Sequence, residues 1–165
     1  MIRKATEDDV LKIMEIIKST VKEMKGYNNT QWDENYPRDI DFFNDIKNED
    51  LYVEEIEKSI KGFVCINYVE PNEYKDLNWS SNEKCMVIHR MAVDCNFRNK
   101  GVGKKLISFA EELAKENNIK YIKTDTYSIN TKMNSLFLKC GLKLIGEMSF
   151  LGKEKPFYCY DKILY

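Results

Sequence analysis

Cys85-Met86-Val87-Ile88-His89-Arg90-Met91-Ala92-Val93 is a strongly apolar run that leads, across a short loop, into Arg98-Asn99-Lys100-Gly101-Val102-Gly103. A run of this length and apolarity reads as a buried strand. Val102, Leu106, Phe109, Ala110 and Leu113 then recur at helical spacing, so a helix begins near Gly101 with that face inward. Residues 119–124 read as the next strand. A strand, a helix and a strand in this order predict a parallel pair joined by a crossover.

The loop at residues 98–103 has its own chemistry. The first backbone N–H groups of a helix have no partner inside it, and the helix dipole adds partial positive charge there. Glycines let an anion approach the backbone closely. Arg98, Lys100, Lys104 and Lys105 add cationic side chains. The segment therefore reads as a phosphate-binding helix start. It is not a Walker A loop, because Arg98 stands where the first glycine belongs and Lys105 where Ser or Thr belongs. It is not a dinucleotide fingerprint either, because Leu106 replaces the third glycine. Two glycines alone favour an ordinary helix start bearing solvated lysines, and the residues around the loop shift the balance.

Outward from this unit, residues 2–5 predict a first strand. Thr6 predicts an N-cap, followed by Glu7, Asp8 and Asp9 at the positive end of a helix. Val10, Ile13, Ile17, Val21 and Met24 give that helix its buried face, and Gly26 its stop. Residues 27–37 have no period. Residues 39–47 predict a second helix with Ile40, Phe43 and Ile46 inward. Residues 51–57 and 61–69 predict a hairpin turning at residues 58–61. Residues 70–84 read as a polar surface loop. Residues 131–140 predict a helix stopped by Gly141, and residues 142–150 and 157–164 a closing hairpin. The predicted order is β-α-α-β-β-β-α-β-α-β-β.

The 165 residues suit one domain, 43% hydrophobic and 32% charged, which excludes a disordered or fibrous chain. With 26 basic and 27 acidic residues, net charge −1, nothing global attracts nucleic acid or a membrane surface. Cys65, Cys85, Cys95, Cys140 and Cys159 have no metal-ligand spacing, so no metal is expected, and they read as reduced thiols. No signal peptide or membrane-spanning run is visible, and a cytoplasmic location is the expectation.

Two motifs bear a family resemblance. Met91-Ala92-Val93, residues 98–103 and Leu106 resemble a strand ending in an apolar triplet, then R/Q-x-x-G-x-G/A, then an apolar helix. Asn130, Met133, Leu136, Phe137, Lys139, Gly141 and Leu142 resemble N-x-x-A-x-x-hydrophobic-Y-x-K-x-G-F. Together with the element order, the chain resembles the GNAT superfamily of acyl-CoA N-acyltransferases. About fifty residues carry the motifs, and the topology covers the whole chain.

The resemblance implies an α/β fold with a mixed, mostly antiparallel central sheet flanked by helices, and a cofactor cleft where the fourth and fifth strands splay. It implies acetyl-CoA as co-substrate. Met91, Ala92 and Val93 would border the pantetheine arm. The segment Arg98, Asn99, Lys100, Gly101, Val102, Gly103 and Lys104 would cradle the pyrophosphate. Asn130 and Phe137 would also touch the cofactor. Phe137 departs from the family pattern, because many relatives carry there a tyrosine thought to protonate the leaving thiolate.

The implied reaction is direct attack of an amine on the acetyl thioester in a ternary complex. A lysine-like amine, with a pKa of about 10.4, is mostly protonated at neutral pH, so a proton acceptor is required. His89, the one histidine, shares a strand face with Met91 and Val93 and is a candidate, as is a role as a core histidine. Tyr127 is the candidate proton donor near Phe137. Gln31, Trp32, Tyr36 and Asp125 are candidate acceptor-binding residues, set against Trp32 as a core pin and Asp125 as a turn or cap residue. Glu83 reads as a solvated carboxylate. A small-molecule amine is the expected acceptor, with a peptide or protein amine, a non-catalytic acetyl-CoA sensor and a homodimer as open alternatives.

Overall fold

A computed structural model describes all residues, Met1–Tyr165. It contains β1 (Ile2–Lys4), α1 (Val10–Gly26), α2 (Asp39–Lys47), β2 (Leu51–Ile56), β3 (Ser59–Asn67), β4 (Met86–Val93), α3 (Val102–Glu116), β5 (Tyr121–Tyr127), α4 (Thr131–Lys139), β6 (Lys143–Met148) and β7 (Phe157–Ile163). Short 3-10 turns precede α1, interrupt the long loop before β4 and follow β4. The seven strands hydrogen-bond in the order β1-β2-β3-β4-β5-β7-β6. Where the register is defined, β4 and β5 run parallel and the other pairs antiparallel. This is the mixed, mostly antiparallel α/β architecture expected from the sequence.

The chain forms two compact units. One comprises Met1–Ile66 and Arg90–Leu106, the other Asn67–His89 and Ile107–Tyr165. Strand β4 and helix α3 each run continuously from one into the other.

In the first unit, α1 buries Val10, Ile13, Ile16, Ile17, Val21 and Met24 against Phe42, Leu51, Val53 and Phe63. The entry to the helix differs from the expectation: Thr6 caps a 3-10 turn, Glu7–Asp9, and α1 itself begins at Val10 after Asp9, whose carboxylate accepts from the Thr6 N–H at 2.8 Å. The α2 expectation is corrected. Phe42 and Asp45 are its buried residues, whereas Ile40 and Phe43 are exposed. The reason is Arg90, whose Nε and Nη2 donate to the Asp45 carboxylate and make a charged position an inner one. The β2–β3 turn is also tighter than expected. Glu57 and Lys58 occupy it with φ of 51° and 60°, the left-handed geometry of a two-residue hairpin. Gly62 on β3 has a structural reason: a Cβ there would meet Val102 Cγ1 at 3.0 Å and Ala92 O at 3.1 Å.

In the second unit, β7 lies between β5 and β6 and pairs with both. One face of this sheet packs Val87, Tyr121, Tyr127, Phe157 and Cys159 together with Tyr74. The loop before β4 is therefore more than a surface loop, because Tyr74 is buried within it. Strand β5 also runs three residues further than residues 119–124, so Asp125 lies inside a strand opposite Cys159 and not in a turn.

Candidate functional site

The parallel register of β4 and β5 has three pairs, Met86–Ile122, Val87–Lys123 and Ile88–Thr124. Beyond Ile88, β4 runs on for the five residues His89, Arg90, Met91, Ala92 and Val93. Met91 and Ala92 are buried and Val93 half-buried. A 3-10 turn, Cys95–Phe97, is capped by Asp94, whose side chain accepts from the Asn96 N–H at 3.0 Å.

The loop then bends through two left-handed residues, Asn99 with φ 60° and Gly101 with φ 81°. Asparagine and glycine are the residues that adopt this conformation at least cost. Nothing lies within 4 Å of a Cβ built on Gly101, so the approach to the first turn of α3 is open there. Val102 is buried and fixes the helix to the core, while Lys100 and Lys104 are exposed. Lys61 Nζ and Lys100 Nζ lie 4.1 and 4.4 Å from the Phe97 ring centroid. Arg98 is held by an ion pair with Glu23 of α1. Glu23 also accepts from Cys95 Sγ at 3.3 Å. The loop thus offers unpaired helix N–H groups, a positive dipole end and several cations, which is the equipment of an anion site.

Asn130 caps α4, its Oδ1 accepting from the Met133 N–H at 3.2 Å. Asn134, one turn on, donates to the carbonyls of Tyr127 and Asn130 and accepts from Tyr160 Oη at 2.5 Å. Phe137 is buried, with its ring 5.3 Å from that of Tyr160.

His89 Nε2 lies 2.7 Å from Asn67 Oδ1. The amide oxygen is an acceptor, so Nε2 carries the proton of this bond. Tyr127 is buried among aromatic neighbours, and its Oη accepts from the Lys155 N–H at 3.1 Å. Trp32 is buried in the α1 core. Tyr36 packs beside it, with Oη accepting from Arg90 Nη1 at 2.8 Å. Gln31 is half-buried, its backbone N–H donating to Asn29 Oδ1.

Asp125 is closely surrounded, yet solvent still reaches it. Tyr74 Oη donates to its Oδ2 at 2.5 Å. Burial pushes this carboxyl up to about 6, against the lowering effect of the Tyr74 bond and with help from Glu73. Tyr74 is a functional candidate that sequence reasoning missed. Its signal was the apolar residues Tyr74, Leu77 and Trp79 within an otherwise polar loop. Glu83 is exposed on the rim of an open polar hollow of about 340 Å³ beside Trp79 and Lys123.

Four of the five cysteines have raised thiols. Burial pushes the Cys65 and Cys159 thiols up to about 12 and Cys85 up to about 11. Cys95 is raised too, by burial and then by Glu23.

A glycine-opened helix start after a strand that outlasts its parallel pairing defines an anion-binding class of α/β protein. The family model for the acetyltransferase (GNAT) family matches residues 16–142, and the chain belongs to that family. GNAT acetyltransferases move acetyl groups from acetyl-CoA to amine acceptors, so the chain is a GNAT-type N-acetyltransferase by descent. Solved structures agree. A GNAT family acetyltransferase from Listeria monocytogenes 4b F2365 is 27% identical, with TM-score 0.75, covering 99% of this chain and 94% of its own. One from Streptococcus agalactiae 2603 is 22% identical with TM-score 0.87, covering 100% and 95%. The Salmonella typhimurium protein yncA, solved with its cofactor acetyl-CoA, is 15% identical with TM-score 0.72, covering 100% and 94%. No curated protein sequence matches the chain significantly.

Proposed function

We propose that the chain acts as one catalytic domain that transfers the acetyl group of acetyl-CoA to a primary amine of a small molecule. The observation that carries this reading is the start of α3, where left-handed Gly101 leaves an open approach to the first turn of the helix. The pyrophosphate is cradled by residues 98–104. Met91, Ala92 and Val93 border the pantetheine arm, and Asn130 and Phe137 also touch the cofactor. Gln31 and Tyr36 are the proposed acceptor contacts. Trp32 supports them from the core. No helix is long and apolar enough to cross a membrane, and a cytoplasmic setting is part of the proposal.

Direct attack in a ternary complex is supported by Cys65, Cys85 and Cys159, because thiols held near 11 and 12 are poor acyl carriers. The amine nitrogen attacks the thioester carbonyl, the C–N bond forms, the C–S bond breaks, and CoA leaves as a thiol. A backbone N–H of β4 beyond Ile88 polarises the carbonyl oxygen. Tyr127 Oη accepts from the Lys155 N–H and keeps its own proton to give, so it stays the proposed donor, and a CoA thiol with a pKa of about 8.5 can also leave without one.

The test is thiol release from acetyl-CoA with a panel of alkylamines, arylamines and peptides, alongside calorimetric acetyl-CoA titration. Gly101→Glu places a carboxylate at the loop mouth and should abolish binding. Gly101→Asn keeps the left-handed backbone and should retain binding. Undiminished affinity in folded Gly101→Glu overturns the cofactor site. Binding without transfer to any amine replaces the enzyme with a sensor.

A further inference from the structure

Four buried or half-buried carboxylates invite comparison. Asp9 accepts from Arg3 Nη1, Arg3 Nη2 and the Thr6 N–H. Asp45 accepts two bonds from Arg90. Asp161 accepts from the Ser80 N–H, Ser80 Oγ and Tyr121 Oη. Each of these is saturated by donors and serves the fold. Asp125 has one donor, the Tyr74 phenol on Oδ2. No cation pairs with it, and Oδ1 accepts no bond.

Its position is equally distinct. Ile88–Thr124 is the last parallel pair, so Asp125 on β5 and His89 on β4 are the next residue of each strand, on one face. That face is otherwise built from Tyr74, Tyr127, Phe157 and Cys159. A strand-interior carboxylate among aromatic rings and a thiol costs stability without a partner. Solvent reaches it, so a ligand's cation can supply the missing partner.

We propose that Asp125, oriented through Oδ2 by Tyr74, accepts the proton of the incoming alkylammonium. This rests on the acetyl-transfer reading. One N–H bond of R–NH3⁺ breaks and an O–H bond forms on Oδ1. The freed lone pair attacks the thioester carbonyl, C–N forms and C–S breaks. The second proton lost from nitrogen neutralises the thiolate, giving CoASH, and Asp125 returns its proton to solvent. The net products are R–NH–acetyl, CoASH and one proton. The acceptor class is therefore an alkylamine that arrives charged.

Six groups face the carboxylate. They are Tyr74 and Glu73 from the loop before β4, Cys159 from β7, Lys123 and Tyr127 from β5, and His89 from β4. Burial and Glu73 raise it, and the Tyr74 bond lowers it.

The experiment measures kcat/KM against pH for wild type, Asp125→Asn, Asp125→Glu, Tyr74→Phe and His89→Gln. Each is run with an alkylamine acceptor and a low-pKa amine analogue, with acetyl-CoA affinity as the folding control. Wild type should lose activity below about pH 6. Asp125→Asn should lose that acid limb and fall about 100-fold with the alkylamine. It should fall little with the low-pKa amine, which arrives neutral. Asp125→Glu should restore part of the limb. Tyr74→Phe should keep the limb and move it to higher pH, and His89→Gln should leave it in place. Retention of rate and limb in Asp125→Asn, or loss of the limb in His89→Gln, overturns the assignment alone. A wild type that releases no thiol with any amine overturns the transfer reading and the assignment with it.

Discussion

Asp125 shows how one residue ties stability to pH. Its folded pKa of about 6 lies above the ordinary carboxylate value of 3.8. The folded chain therefore holds a proton there that the unfolded chain has already released. Stability from the protonated form is full below about pH 4 and is lost as pH rises through about 6, a change of about 3 kcal/mol at most. Asp125→Asn removes the charge and keeps an oxygen to accept from Tyr74. It should raise the melting temperature at pH 8 and change it little at pH 4, as thermal scans at both pH values would show. Equal shifts at both would rule out a perturbed carboxyl. The sequence obscured this residue because Thr124-Asp125-Thr126 satisfies both turn and strand preferences. Asp favours turns, and threonine favours strands. Pairing with β7 over seven residues decided the matter.

At the scale of the element, α2 is where periodicity and packing disagree. A hydrophobic reading puts Ile40 and Phe43 inward because it assumes that aspartate faces water. Arg90 reverses that assumption, since Asp45 turns in to meet it and Phe42 turns in with it. No local pattern announces a partner 45 residues away. Two substitutions separate the readings in urea unfolding. Phe42→Ala, at 0% exposure with its ring 5.2 Å from Phe63, should cost about 3–5 kcal/mol. Phe43→Ala, at 37% exposure, should cost less than about 1 kcal/mol. Asp45→Ala strands the Arg90 guanidinium and should cost about 3–5 kcal/mol. Equal costs at the two phenylalanines would refute the inward assignment of Phe42. By contrast, α1 and α3 were legible because their buried faces are apolar but for Thr20, whose hydroxyl donates to the Ile16 carbonyl within α1. The loop at residues 98–103 was legible because its backbone geometry demands glycine or asparagine at fixed positions.

For the whole molecule, the order of elements followed from periodicity, while the insertion of β7 between β5 and β6 did not. Hairpin signals fix which strands are joined, and they leave open which of the two reaches the sheet. The same limit applies to cooperativity. The chain has two compact units, and both β4 and α3 cross from one to the other without a break. Shared backbone elements of this kind resist independent melting, since unfolding either unit unravels half of a strand and part of a helix in the other. One cooperative transition is therefore expected, in keeping with the single catalytic domain proposed above. The proposed pyrophosphate loop lies at the start of α3, in the first unit. Acetyl-CoA at 100 times its dissociation constant should add about 2.7 kcal/mol, or about 5–10 °C in a chain of this size. If the chain is one cooperative domain, calorimetry should show a single endotherm that moves as a whole. Two endotherms, of which acetyl-CoA moves only one, would show that the units melt separately and that the cofactor stabilises only the unit carrying its loop.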